Sequence, residues 1–168
     1  EDVMQMVEGM ITETVESIGY TIKEKPFHRV TYKESILKYG ADKFDMRTDE
    51  DKAKGILAYA WVVDFPFFEK TEQGGWTFTH NPFSQPLPEY AQDHLAGRNI
   101  ENILTTQYDL VCNGYESGGG SIRAHDPAML RATYKTMGYS DQEIEDSVGH
   151  MLEAFKYGTP PHGGIGIG

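Results

Sequence analysis

The stretch "YDLVCNGYESGGGSIR", residues 108 to 123, constrains the fold of this chain more than any other. An Asn-Gly pair between two strand-forming runs is the strongest short-range signal for a hairpin closed by a two-residue type I′ turn, whose central residues both need positive φ. With Asn113 and Gly114 central, Cys112 opposes Tyr115, Val111 opposes Glu116 and Asp109 opposes Gly118. Alternation then puts Asp109 and Val111 on one face with Glu116 and Gly118. Two carboxylates so placed repel unless a cation sits between them. Magnesium fits, as a hard ion that takes one or two carboxylates plus substrate phosphates. Arg123, seven residues past Glu116, falls on the opposite face. A bulge among Gly118, Gly119 and Gly120 would shift the phase by one and return it. The three glycines match neither spacing of the phosphate-binding motifs. An exposed hairpin with incidental charges is the alternative that spacing alone leaves open.

The 168 residues, 39% hydrophobic and 24% charged, suit one ordinary globular domain. A single cysteine, Cys112, excludes an internal disulfide and a Cys-based zinc cluster and fits a reducing compartment, here read as the cytoplasm. No apolar run reaches the length of a membrane span. The net charge of −11 disfavours sequence-independent binding to a phosphate backbone. The chain begins at Glu1 inside a helical pattern and stops within Ile165-Gly166-Ile167-Gly168, which reads as a piece of a larger protein.

Val3, Met6, Val7, Met10, Ile11, Val15 and Ile18 recur at helical spacing, with Gly19 as the stop, and the methionines read as core filler. Pro26 to Val30 reads as extended. Thr31 and Glu34 form a capping box opening a short helix through Tyr39. Residues 42 to 55 are polar and read as a solvated connector. Ala58 to Phe68 reads as a buried strand ending at Pro66, with Asp64 a satisfied polar group inside it. In "GGWTFTHNP", Trp76, Phe78 and His80 share a face if the segment is a strand. Residues 83 to 106 read as loop. Helices are expected near 127 to 137 and from Ser140 to about Phe155. His28, His94, His125, His150 and His162 are too scattered for a metal site. Tyr115 and Ser121 flank the hairpin as weaker site candidates. The fold class is α+β with a largely antiparallel sheet.

Five blocks, "FHRVTYKESILKYGADKFDMR", "WVVDFPFFE", "GGWTFTHNPFSQP", "QYDLVCNGYESGGGSIRAH" and "EAFKYGTPPHGGIGIG", occur in the order in which similar blocks occur in bacterial-type aspartyl-tRNA synthetases. The chain therefore resembles that class II family, which is built on an antiparallel sheet flanked by helices. The resemblance implies that Asp109 and Glu116 hold magnesium and the phosphates of ATP. It implies that Arg123 clamps the side-chain carboxylate of aspartate, which suits its bidentate fork, and that His80 helps recognise the amino acid. Gly168 corresponds to the first residue of the third class II motif, at the ATP site. No side chain need act as nucleophile, because the substrate carboxylate attacks the α-phosphate.

On this reading residues 1–168 are the C-terminal part of a class II catalytic domain. The anticodon-binding domain and the first two class II motifs lie before Glu1, and the domain inserted in bacterial members is missing between Arg47 and Leu57. Ser117 stands where a branched apolar residue is common. The parent enzyme would join aspartate to ATP and pass aspartyl to tRNA, as a homodimer, while the isolated segment would be inactive. A non-catalytic synthetase-like module that binds an amino acid or a partner is one alternative. An ATP-dependent asparagine synthetase-like enzyme is another.

Overall fold

A computed structural model describes all of residues 1–168. Its elements in chain order are α1 (Asp2–Ser17), β1 (His28–Thr31), α2 (Tyr32–Tyr39), α3 (Asp49–Ala53), β2 (Tyr59–Val63), β3 (Phe68–Lys70) and β4 (Trp76–Phe78). There follow α4 (Ala91–Ala96), β5 (Gln107–Cys112), β6 (Tyr115–Ile122), α5 (Pro127–Thr136), α6 (Asp141–Phe155) and β7 (Gly163–Ile167). The chain divides into two compact units. Glu1–Val63, Tyr108–Gly120 and Gly164–Gly168 form the first, Asp64–Gln107 and Ser121–Gly163 the second.

The first unit is built on a sheet of order β1-β2-β5-β6-β7. β1 and β2 run parallel, and β2 pairs antiparallel with β5, Val62 opposite Asp109. Period-2 alternation gives the two faces different work. Tyr59 and Trp61 of β2 and Tyr108 and Leu110 of β5 pack under Met4, Val7 and Val15 of α1. Trp61 is wholly buried there, and its indole N–H donates to Glu8 Oε2 at 3.4 Å. The intervening residues Ala60, Val62, Asp109 and Val111 therefore face away from α1. α2 starts at the expected capping box, the Thr31 hydroxyl accepting from the Glu34 N–H and the Glu34 carboxylate from the Thr31 N–H, and ends at Gly40 with φ 77°.

In the second unit, β3 and β4 make an antiparallel ribbon with Lys70 opposite Trp76 and its ammonium over the indole. Phe68 of β3 packs with Phe67 and Ile103, and Trp76 of β4 lies against them. α5 opens at Asp126-Pro127 and α6 at the Ser140–Glu143 capping box, as the sequence predicts. Leu130, Tyr134, Ile144, Val148 and Leu152 close the two helices on each other.

Four expectations change. Met6 and Met10 are 68% and 50% exposed and are not core. The inward stripe of α1 is Met4, Val7 and Val15, with Val3 and Ile11 packed against it. The strand from Ala58 stops at Val63 rather than Pro66, because Asp64 takes φ 57° and turns the chain before β3. β4 ends at Phe78, so His80 lies beyond the strand. The two predicted loops each hold a helix: α3, capped by Thr48, and α4, which stops at Gly97 with φ 62°. α4 has no apolar periodicity, and its formation follows from burying His94.

Candidate active site

The hairpin between β5 and β6 closes as predicted. Asn113 and Gly114 have φ of 55° and 91°, both positive as a type I′ turn requires. Asn113 also fixes the turn to the segment entering β2. Its Oδ1 accepts from the Ala58 N–H at 2.9 Å and its own N–H donates to the Ala58 carbonyl at 3.2 Å.

Asp109 and Glu116 converge. A Cβ placed on Gly119 would lie 2.9 Å from Asp109 Oδ1 and 2.9 Å from Glu116 Oε1, so the two oxygens stand over the same glycine. Regular alternation assigns that place to Gly118. The side chains around the triple glycine therefore depart from strict alternation. Gly118 and Gly120 turn instead toward β7. A Cβ on Gly118 would come within 2.7 Å of the Gly166 carbonyl oxygen, and one on Gly120 within 1.9 Å of that of Gly164. The triple glycine thus serves two needs: its outer members admit a neighbouring backbone, and its middle member leaves room for two carboxylates.

Asp109 is only 3% exposed, whereas the Glu116 side chain is 41% exposed. Lys43 approaches from the segment before α3, its Nζ 3.0 Å from Glu116 Oε2. The Glu116 carboxylate, and after it the charges of Asp42 and Asp109, hold the Lys43 ammonium above its ordinary 10.5. Sequence reasoning missed Lys43, since nothing in "DKFDMR" distinguishes a solvated lysine from one aimed at a distant glutamate. No cluster of three or more His, Cys, Asp or Glu side chains is placed to cage a metal. A pair of carboxylates over an open glycine is a donor set that fits magnesium, which completes its shell with water and phosphate oxygens.

In the second unit Arg123 is half-buried, and its guanidinium Nη1 donates to Asn81 Oδ1 at 3.2 Å. Its backbone is held on two sides: Arg123 bridges Ser84, and its N–H donates to the His162 carbonyl at 2.9 Å. Asn81 is the other residue that sequence reasoning passed over. Its Oδ1 also accepts from the Phe83 N–H at 3.0 Å, an Asx-turn that the Asn-Pro pair signals without revealing its arginine partner. His80 is exposed and meets Phe65 edge-on, with ring centroids 4.6 Å apart. A cavity of about 250 Å³ is lined by Phe83, Arg123, Leu130, Met151, Phe155 and His162. Tyr115 is 77% exposed, and Ser121 is wholly buried with its hydroxyl unpartnered. Gly168 follows β7, its N–H donating to the Ser117 carbonyl at 3.3 Å. A separate groove runs along the flank of α1, lined by Glu1, Glu8, Glu13 and Glu16, and holds none of these residues.

Comparison with known proteins places the whole chain. The sequence model of the class II tRNA synthetases (D, K and N) matches residues 1–168, and the chain belongs to that family. It is 44% identical over 134 residues to the aspartate–tRNA(Asp/Asn) ligase of Prosthecochloris aestuarii, covering 79% of this chain and 21% of the relative. Against the enzyme of the same name from Ruegeria sp. it is 44% identical over 122 residues, covering 72% and 19%. The chain thus spans about a fifth of the length of these curated relatives. The fold is shared with an aspartyl-tRNA synthetase from Entamoeba histolytica, with a TM-score of 0.55 at 23% identity over 88% of this chain and 28% of that one. It is shared too with an asparaginyl-tRNA synthetase from Entamoeba histolytica in complex with asparaginyl-adenylate, with a TM-score of 0.57 at 21% identity over 99% and 37%.

Proposed function

We propose that this chain is a segment of the catalytic domain of an aspartate–tRNA ligase. The full enzyme activates aspartate with ATP, giving aspartyl-adenylate and pyrophosphate, and transfers the aspartyl group to tRNA. The observation that carries the reading is the convergence of Asp109 and Glu116 over Gly119, in a chain of this family. Asp109 and Glu116 would hold magnesium, which when bound neutralises charge on the phosphates of ATP. Buried and short, Asp109 has little freedom and fixes the position of the site, while Glu116 on its longer stem adapts to the nucleotide. Gly168, with no side chain, lets ATP approach the backbone. His80 and Arg123 would bind the substrate's side chain, and the Asn81 oxygen on one guanidinium nitrogen holds the Arg123 plane for a two-pronged contact. No residue acts as a nucleophile, and the rate enhancement comes from positioning and charge stabilisation.

Residues 1–168 correspond to the C-terminal part of the catalytic domain. The first two class II motifs and the anticodon-binding domain belong to the parent outside this segment, and α3 with its flanks replaces the inserted domain between Arg47 and Leu57. The parent works as a cytoplasmic homodimer. No helix of the chain is long and apolar enough to cross a membrane. The segment alone, without its parent's other nucleotide contacts, is not expected to form adenylate.

The test is substrate choice in a full-length parent. Breaking a guanidinium–carboxylate pair in a desolvated pocket costs about 3–5 kcal/mol. Arg123→Leu should therefore lower aspartate-dependent ATP–pyrophosphate exchange by roughly 10²–10³-fold or more. The weak response to asparagine, which lacks the charge, should barely change. Equal loss for both substrates would remove Arg123 from aspartate recognition.

A further inference from the structure

Lys43 has no part in the reading above, yet it is built toward the acidic pair. Glu116 divides its two oxygens: Oε1 stands over Gly119 with Asp109 Oδ1, while Oε2 lies 3.0 Å from the Lys43 ammonium. The two residues that follow Lys43 are both anchored. Phe44 is 6% exposed, with its ring stacked on Tyr39 at 4.0 Å. Asp45 lies against the hairpin turn, where a Cβ on Gly114 would be 3.8 Å from its own Cβ, and it holds Arg47 in a two-pronged ion pair. A lysine next to such anchors has its backbone held close to the acidic pair.

We propose that Lys43 is the resident counter-ion of the Asp109–Glu116 pair, and that a divalent cation must displace its ammonium from Glu116 in order to bind. The inference rests on the metal reading given above. Two carboxylates facing one another need positive charge nearby, and the ammonium supplies one unit of it. A second cation held by the same glutamate would face that ammonium at contact range and be repelled by it. The lysine stem is flexible and its side chain is 42% exposed, so the head can swing into water when the ion arrives. Lys43 thereby lowers the affinity of the pair for metal.

Titration of the 168-residue chain with Mn²⁺ alone, read from the electron paramagnetic resonance signal of the free ion, tests this without any activity assay. Exposed ion pairs are weak, so Lys43→Met should bind Mn²⁺ about two- to five-fold more tightly than the wild type. Lys43→Arg, which keeps the charge, should match the wild type, and Glu116→Gln should lose most of the binding. Lys43→Gln repeats the measurement if Lys43→Met does not fold. Mn²⁺ affinity that is unchanged or weaker in the neutral variants, while Glu116→Gln still loses binding, overturns the counter-ion role and leaves the metal reading standing. No difference between the wild type and Glu116→Gln overturns the metal reading, and this inference with it.

Discussion

Alanine in place of Gly120 or Gly119 separates what the triple glycine does for the fold from what it does for the site. At Gly120 the new Cβ would sit 1.9 Å from the Gly164 carbonyl oxygen and 2.9 Å from Ile165 Cα, both backbone atoms. Ordinary contact would require β7 to withdraw by about 1.5 Å. β7 is held by the Tyr108 hydroxyl donating to the Gly164 carbonyl at 2.9 Å, by the Gly168 N–H on Ser117, and by Ile165 at the edge of the core. Its least costly escape is to detach. The Tyr108 and Gly168 hydrogen bonds at about 1 kcal/mol each, a part-buried isoleucine and the bonds that pair β7 with β6 set the loss at about 3 kcal/mol or more. At Gly119 the collisions are with side-chain ends. Glu116 can turn into solvent, while Asp109 must leave its rotamer at about 0.5–1.5 kcal/mol, offset in part by the gain of alanine over glycine in a strand. The net cost should stay below that of Gly120→Ala, with Mn²⁺ binding lost. Urea denaturation at matched m-values, together with amide hydrogen exchange along β7, measures both. If Gly120→Ala cost no more than Gly119→Ala, or left β7 protection unchanged, the assignment of the outer glycines to strand packing would be wrong.

Asn113→Ala should destabilise the chain by about 1–3 kcal/mol, because it leaves the Ala58 N–H without its side-chain acceptor and forces alanine into positive φ; equilibrium denaturation checks this, and a loss under 0.5 kcal/mol would refute it. His94 supplies a pH dependence. It is 1% exposed, stacks near Phe67, and sends its Nε2–H to the Met129 carbonyl at 3.0 Å, leaving Nδ1 buried without a partner. Burial holds it below the ordinary 6.5, so the unfolded chain takes up the proton first and stability should fall as pH drops through 6.5. The urea midpoint should be lower at pH 5.5 than at 7.5, and His94→Gln, whatever its own cost, should show a smaller difference.

Legibility followed the range of the interaction. The hairpin, the capping boxes at Thr31 and Ser140 and the start at Asp126-Pro127 were readable because each depends on residues within one turn. The convergence of Asp109 and Glu116 was readable for the same reason, as a turn type fixes register. Which glycine lies beneath them was not, because β7, far along the chain, crowds Gly118 and Gly120. Nor was α4, whose six residues carry too little pattern and which depends on His94 entering a cluster of aromatic rings.

By itself, then, the sequence determined the local geometry: where the chain turns, which helices are capped, and that two carboxylates share one side of a hairpin. These follow from steric and hydrogen-bonding rules acting over a few residues, and any packing of the chain would have to respect them. Only the tertiary structure decided which apolar residues of α1 became core, which glycine received the carboxylates, and that Lys43 ends against Glu116. Each of those outcomes depends on an element remote in sequence arriving at a fixed distance. Neither periodicity nor charge along the chain encodes that distance.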